Sequence, residues 1–397
     1  MYNSPHQFEP LWPTSFPPAL LLKAENIVRA SDQLRRAAHA ATLAGVGDLV
    51  RSMNSYYSNR IEGQGTHPRH IERALKQQFS DRPDIARLQR LALAHIDAER
   101  ALEKSESQSQ SQSQSQVNPL CSTFLANAHQ ALYMRLDIPE RTTEDGHCIV
   151  PGAFRTDDVA VGHHLPPSAA SLPRFLARLD QVYGKPWPVE SLPIVVACLH
   201  HRAAWVHPFR DGNGRAIRLQ SHMALWSLSQ GLWSPNRGLA RAVNDYYARL
   251  HNADLPRRND YDGRGNLSTA GLLEWVDFFL DICLDQVNFM TRMLALDDMK
   301  RRISALITFR AAEDKAYRQE AILPLYHVFA AGPLTRGEFA QMTGLGERTA
   351  RSLLARLLAA GLLQTDSALG PVRFGLPLDA LQFLLPELYP EAATQAD

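Results

Sequence analysis

Fifteen residues, Leu192 to Val206, read LPIVVACLHHRAAWV, and nearly every position is apolar. A helix that is apolar on all sides must be buried. Val195, Val196, Leu199 and Ala203 therefore belong to a central helix, and the other elements must be wrapped around it. That helix runs straight into His207–Arg218, HPFRDGNGRAIR. The glycines flanking Asn213 let the backbone turn tightly and come close to a ligand. A helix starting near Gly212 would aim its free N–H groups into that turn, which makes an anion site. Arg215 and Arg218, three apart, then share one helical face. Two forked guanidiniums beside backbone donors suit a chain of phosphates, and Asp211 just ahead can hold a Mg²⁺ shared with them. His207 has an ordinary pKa near ~6.5 and can take a proton near neutrality. The residues point to a nucleotide triphosphate–Mg²⁺ site with a histidine base beside it.

Asp-Gly-Asn-Gly also makes a good surface turn. Half an EF-hand loop is a second alternative, but the later ligands and closing glutamate are missing. No Walker-A loop occurs in the 397 residues. What exceeds a turn is the ordered set of base, acid, glycines and two arginines.

Hydrophobic content of 45% permits a sizeable core, and a net charge of +1 gives no signal for or against nucleic acid. Cys121, Cys148, Cys198 and Cys283 are scattered with no CxxC, and read as reduced core thiols of a cytoplasmic protein. The adjacent pairs His163-His164 and His200-His201 do not share a helix face, which argues against a metal site from either. No signal peptide and no membrane-spanning apolar run is visible, so no membrane partner is expected.

His207 to Arg218 matches H-x-F-x-[DE]-G-N-G-R-x-x-R at every defined position, and in this the chain resembles the Fic family. The resemblance covers roughly residues 20–300. It implies a mainly α fold, with a Fic-type helical core and a small β-hairpin flap. It implies transfer of AMP from ATP to a Ser, Thr or Tyr hydroxyl of a target protein, with ATP and Mg²⁺ required. His207 would be the general base, Phe209 a buried anchor and Asp211 the Mg²⁺ ligand. Asn213 with the Gly212 and Gly214 amides would hold the α-phosphate, and Arg215 the β-phosphate. Arg218 would meet the γ-phosphate or a regulatory glutamate.

Three further segments take on meaning from the same resemblance. Glu62-Gly63 alone reads as a helix end with a glycine cap. Ser58 to Gly63 also matches the family's inhibitory pattern [ST]-x-x-x-E-[GN], so Glu62 would pair with Arg218 and displace the γ-phosphate. Gly152, Phe154, Arg155, Val159, Val161 and Gly162 match the family's flap, which docks the target segment by strand-like pairing. Tyr246 and Tyr247 read as a core aromatic pair, but with Leu250 they fall where the family has its adenine pocket.

In chain order, residues 1–18 read as an arm packing its aromatics on the body. Pro18 to Met53 reads as two helices broken near Gly45 and Gly47. Residues 66–104 read as two helices, one carrying Ile71, Leu75 and Phe79. The Ser-Gln repeat Ser105–Gln116 cannot bury apolar surface and is expected to be a disordered loop. Leu172–Tyr183 is amphipathic, Ile217–Leu228 apolar, and Trp275–Met299 is expected as one long helix. After it, Ala321–Ala331, Leu334–Ala340 and Glu347–Ala360 read as three helices. Leu362–Gln364 and Val372–Phe374 follow as a two-strand wing. The order resembles a winged helix-turn-helix, in which Arg348, Arg351 and Arg356 would face DNA phosphates. The expected domains are 1–110 with the inhibitory helix, 117–300 as the Fic core and 301–397 as the winged helix. The alternatives are a DNA-binding regulator whose core only senses a nucleotide, and removal of AMP by the same site. A homodimer is compatible with the sequence.

Overall fold

The computed structural model describes residues 2–112, 117–143, 145–162 and 164–389. Helices α1 (Pro18–Leu34), α2 (Ala40–Ile61), α3 (Pro68–Leu75), α4 (Pro83–Gln112) and α5 (Ser122–Tyr133) form the first half. Then come α6 (Leu172–Tyr183), α7 (Leu192–Val206), α8 (Asn213–Ala224), α9 (Trp226–Ser229), α10 (Asn236–Arg241) and α11 (Val243–Asp254). The series ends with α12 (Thr269–Met293), α13 (Leu296–Glu313), α14 (Ile322–Ala331), α15 (Arg336–Thr343), α16 (Glu347–Ala359) and α17 (Leu381–Leu384). The fold is mainly α. None of these helices is long and apolar enough to cross a membrane.

Helix α7 is the central rod that its apolar run requires. All but two of its residues are buried, against α6, α8 and α12. The Trp275 indole N–H on α12 donates to the Ala197 carbonyl at 2.7 Å, so the indole that packs on the rod has its polar atom satisfied. The N-terminal arm packs as expected: Phe8 lies against Phe175 and Trp205, and Trp12 against Phe16 and Trp187. Buried Arg202 on α7 donates to the Pro10 carbonyl and ties the arm down.

Several expectations are corrected. The break between α1 and α2 falls at residues 35–39, and Gly45 and Gly47 lie inside α2. An interior helical glycine costs only about 1 kcal/mol, which burial of neighbouring Val46 and Val50 offsets. Phe79 lies outside any helix, beyond the end of α3. The first part of the Ser-Gln repeat, 105–112, continues α4, and 113–116 lie outside the described residues. The long helix expected at Trp275–Met299 is two, broken at Leu294–Ala295. No glycine or proline marks that break; Asp297 and Asp298 in the first turn of α13, next to its positive end, do. Helix α13 also crosses the boundary drawn at 300–301.

The expected flap contains one bridged pair, Val161 with His164, closed by two 2.9 Å backbone hydrogen bonds around Gly162. Val159 belongs to no strand. Cys198 and Cys283 are core thiols as expected, whereas Cys148 is exposed and Cys121 half-buried.

In the C-terminal part, α14, α15 and α16 are followed by β1 (Leu363–Gln364) and β2 (Arg373–Phe374), which pair antiparallel. Leu334 bridges Val372 beside them. Of the three arginines expected to face phosphates, Arg351 pairs with Glu347 and Arg356 with Asp314. This part is continuous with the main core. Tyr57 on α2 donates to the Leu388 carbonyl at 3.0 Å, and Thr42 to that of Phe329 at 2.9 Å.

Candidate active site

The loop after α7 is held by its own residues. His207 adopts φ 48° and ψ 64°, a left-handed conformation that ends the helix and turns the chain. A side chain there costs about 1–2 kcal/mol, so neighbours must hold it. Arg155 does so: its Nε donates to the His207 carbonyl at 2.8 Å, and its backbone N–H to Pro208 at 2.9 Å. Phe209 is fully buried, stacked 4.0 Å from the His129 ring and 5.4 Å from Phe154. The Asn213 side chain closes the loop on itself. It accepts from the Phe209 N–H and donates to the Phe209 carbonyl, both at 2.8 Å. The side-chain amide is thus engaged within the loop, and the backbone amide of Asn213 is the one at the start of α8. Helix α8 starts at Asn213, and its first backbone bond joins Ala216 N–H to the Gly212 carbonyl. The amides of Asn213, Gly214 and Arg215 precede that bond, at the positive end of the helix.

Gly212 makes this entry possible. Its φ is 75°, and a Cβ there would collide with the Tyr133 ring. The Tyr133 hydroxyl donates to Asp211 Oδ2 at 2.6 Å and accepts from Arg215 at 2.9 Å. His129, one turn earlier on α5, accepts from the Gly152 N–H on Nδ1 at 2.9 Å, so its Nε2 donates to the Asp211 carbonyl at 3.2 Å. Arg215 also donates to Gln64 at 3.1 Å. Burial opposes the Asp211 charge, but the Arg215 guanidinium and the Tyr133 hydroxyl hold its carboxyl below the usual range. Half-exposed Asp211 faces a cavity of about 590 Å³ shared with Arg215, Tyr133 and Gln64. Glu140 and Asp145 line the same cavity, and a half-exposed carboxylate such as Asp211 could hold a Mg²⁺ there.

A second cavity, of about 410 Å³, is lined by His207, Asn213, Gly214, Arg218, Tyr246, Tyr247, Leu250, Val161 and Glu62. Burial, with His164 and Arg155 nearby, pushes the His207 imidazole down to about 4. The ring is neutral at pH 7. Glu62 caps the C-terminal end of α2, with Gly63 left-handed behind it. Its Oε1 lies 2.5 Å from Arg218, which is 1% exposed. Arg218 also donates to the Ser58 hydroxyl at 3.0 Å and carbonyl at 3.1 Å. Burial raises the Glu62 carboxyl, but Arg218 outweighs it and the group stays below its usual value. A Cβ on Gly214 would run into Glu62 Oε1, so the carboxylate rests on the first turn of α8. Tyr246 is buried, its hydroxyl 3.0 Å from His200 Nε2. Tyr247 is half exposed and donates to the Ile61 carbonyl at 3.1 Å, fastening the end of α2. His200 and His201 are core residues with internal partners, Ser221 and the Leu250 carbonyl.

The structure thus divides the expected residues between two adjoining cavities, with Ser58 behind Arg218 and Gly212 beneath Tyr133. Val159 and Gly162 line neither. His129, Tyr133 and Gln64 are positions at this candidate site that sequence reasoning missed. The signal for the first two is their i,i+4 spacing on the buried face of α5.

A sequence model described as the Fic/DOC family matches residues 119–225. The chain is 32% identical over 120 residues to the protein adenylyltransferase Fic of Nematostella vectensis, covering 30% of this chain and 27% of that protein. It is 36% identical over 69 residues to the protein of the same description from Drosophila willistoni, covering 17% of this chain and 14% of that one. The matches therefore span about a quarter or less of these relatives. The crystal structure of a Fic family protein from Desulfovibrio desulfuricans G20 aligns with a TM-score of 0.53 at 17% identity. That alignment covers 92% of this chain and 98% of the other, so the shared fold extends well beyond the matched 107 residues.

Proposed function

We propose that this chain, which belongs to the Fic/DOC family through residues 119–225, is a protein adenylyltransferase restrained by its own helix α2. In the proposed reaction a target hydroxyl oxygen attacks the α-phosphorus of ATP. The bond to the β-phosphate oxygen breaks, and pyrophosphate leaves. His207, neutral at pH 7, takes the hydroxyl proton. The three open amides at the start of α8 receive the α-phosphate oxygens, and Arg215 the leaving phosphates. Asp211 would hold a Mg²⁺, which would supply neutralising charge to the phosphates. The adenine stacks on the exposed face of Tyr247, and Val161 on the flap aligns the target segment.

The observation that carries this reading is the position of Glu62. It occupies Arg218 and lies on Gly214, at the end of α8 where the phosphates would sit. A carboxylate there competes with phosphate for the same donors. The test is incubation with Mg²⁺ and α-labelled ATP, comparing wild type, Glu62→Gly and Glu62→Gly/His207→Ala. Label on protein with Glu62→Gly, weak in wild type and absent in the double variant, is the expected result. No label in any of the three despite ATP binding overturns the reading in favour of a nucleotide-sensing regulator. Release of AMP from modified protein, dependent on Glu62, would identify the reverse reaction.

A further inference from the structure

Behind the face of α8 that carries Arg215 and Arg218 lies a buried cluster that the proposed transfer does not use. His222 is on the same face of α8, one turn beyond Arg218. Opposite it, His95, Glu99 and Glu103 stand four apart on α4, which places them on one stripe. His95, Glu99, Glu103 and His222 are 0%, 1%, 7% and 1% exposed. Oxygens of Glu99 and Glu103 and a nitrogen of His222 all lie within 4.8 Å of one another. His222 Nε2 is 3.3 Å from Glu99 Oε1 and 3.9 Å from Glu103 Oε1.

Buried polar groups are normally hydrogen-bonded. Here they are not. Of the fourteen buried side-chain polar atoms without a hydrogen-bond partner among the described residues, six belong to Asn54, His95, Glu99 and His222. Both ring nitrogens of His95 are among them, and its Nδ1 points towards Glu99 Oε2 at 3.9 Å. The remaining contacts look like an outer shell. Asn54 donates to Glu99 Oε1 at 2.9 Å, and Arg51 donates to Glu103 Oε2 from Nε at 3.1 Å and from Nη2. Such contacts orient carboxylates around an ion.

We propose that Glu99, Glu103 and His222 form a structural site for a divalent transition cation of the Zn²⁺ type, with His95, beside Glu99 but outside the 4.8 Å group, turning in as the fourth ligand. Two carboxylates and two imidazoles without thiolate suit such an ion, and the imidazoles disfavour Mg²⁺ and Ca²⁺. In a tetrahedron with bonds of about 2.1 Å the ligand atoms stand about 3.4 Å apart. The 3.3 Å edge matches, and the 3.9 Å edge closes with a small rotation of Glu103. The outer-shell groups Asn54 and Arg51 both come from α2, so the ion would fasten the restraining helix to α4 and α8.

The test is metal analysis of the full chain, stripped with a chelator and dialysed against Zn²⁺ without nucleotide. Wild type and Asp211→Asn should each retain one Zn²⁺, and the thermal midpoint of each should rise with Zn²⁺. Glu99→Gln and His222→Gln should lose affinity by at least ~100-fold. Wild type alone suffices if those variants do not fold: with Co²⁺ it should show the visible absorption of a four-coordinate nitrogen–oxygen site. No retained Zn²⁺ in wild type, retention abolished by Asp211→Asn, or retention indifferent to both cluster variants overturns the proposal.

Discussion

Tyr133 tests whether Asp211 and Arg215 act as a fixed pair. Tyr133→Phe keeps the ring that packs on Gly212 and lies 5.6 Å from the Arg215 guanidinium, and removes one oxygen. That oxygen is the hydrogen-bonded bridge between a carboxylate and a guanidinium, at 2.6 Å and 2.9 Å. A hydrogen bond to a charged group contributes about 1.5–3 kcal/mol. Asp211 and Arg215 remain 3.5 Å apart and recover part of that by approaching directly. The lower half of the range is therefore expected, a loss of ~10- to 30-fold in kcat/KM at about 1.4 kcal/mol per factor of ten. The measurement is the initial rate of labelled AMP transfer in the Glu62→Gly background, at varied ATP and Mg²⁺. The Mg²⁺ concentration giving half-maximal rate should rise in parallel, because Asp211 is no longer held by a donor on α5. A variant within twofold of its parent, with unshifted Mg²⁺ dependence and an unchanged thermal midpoint, would refute the reasoning and leave Tyr133 as packing only.

Ser58→Ala removes the acceptor of the Arg218 Nε–H, in a place where Arg218 is 1% exposed. A cost of about 1 kcal/mol to the restrained state should raise basal AMP transfer ~5-fold, less than Glu62→Gly does; a silent Ser58→Ala would separate that serine from the restraint. Gly212→Ala forces a side chain into φ 75° and against the Tyr133 ring. Its thermal unfolding should show a loss of about 2–4 kcal/mol together with lost activity, and wild-type stability would count against the described loop. Burial holds His200 down to about 3, and His129 and His207 down to about 4. Unfolded, these rings titrate near ~6.5, so below that pH the unfolded chain binds more protons than the folded one. Stability should therefore fall between pH 7 and pH 5, read as a lower thermal midpoint at pH 5; a flat or rising midpoint contradicts neutral burial of these rings.

Helices α6 and α7 were legible to the residue, because an uninterrupted amphipathic or apolar run sets both ends. The loop geometry of His207 to Arg218 was legible for a different reason. The whole anion loop is contiguous, so its parts arrive in reading order. Tyr133 and Gln64 were not legible, since they meet Asp211 and Arg215 only after α5 and the end of α2 have packed against α8. The direction of the Asn213 side chain was not legible, because composition shows an amide beside two glycines but not which way it faces. It faces the Phe209 backbone.

The hardest element to orient from sequence is α2. Along its last three turns Arg51, Asn54, Ser58 and Glu62 follow one another at helical spacing. Periodicity alone assigns such a stripe to solvent. The structure buries its first three members, because α8 and α4 carry the complementary groups: Arg218 for Ser58 and Glu62, Glu99 for Asn54, Glu103 for Arg51. A polar interface of this kind gains less from area than an apolar one, because each partner must first give up water. It is correspondingly sensitive to whether every partner is present. One added competitor at Arg218, such as a nucleotide phosphate, removes the partner of two of the four stripe residues at once. An apolar seam of the same length would hold α2 down whether or not phosphate was bound. The polarity that hides α2 from a hydrophobicity reading is thus what lets a ligand in the neighbouring cavity bear on it.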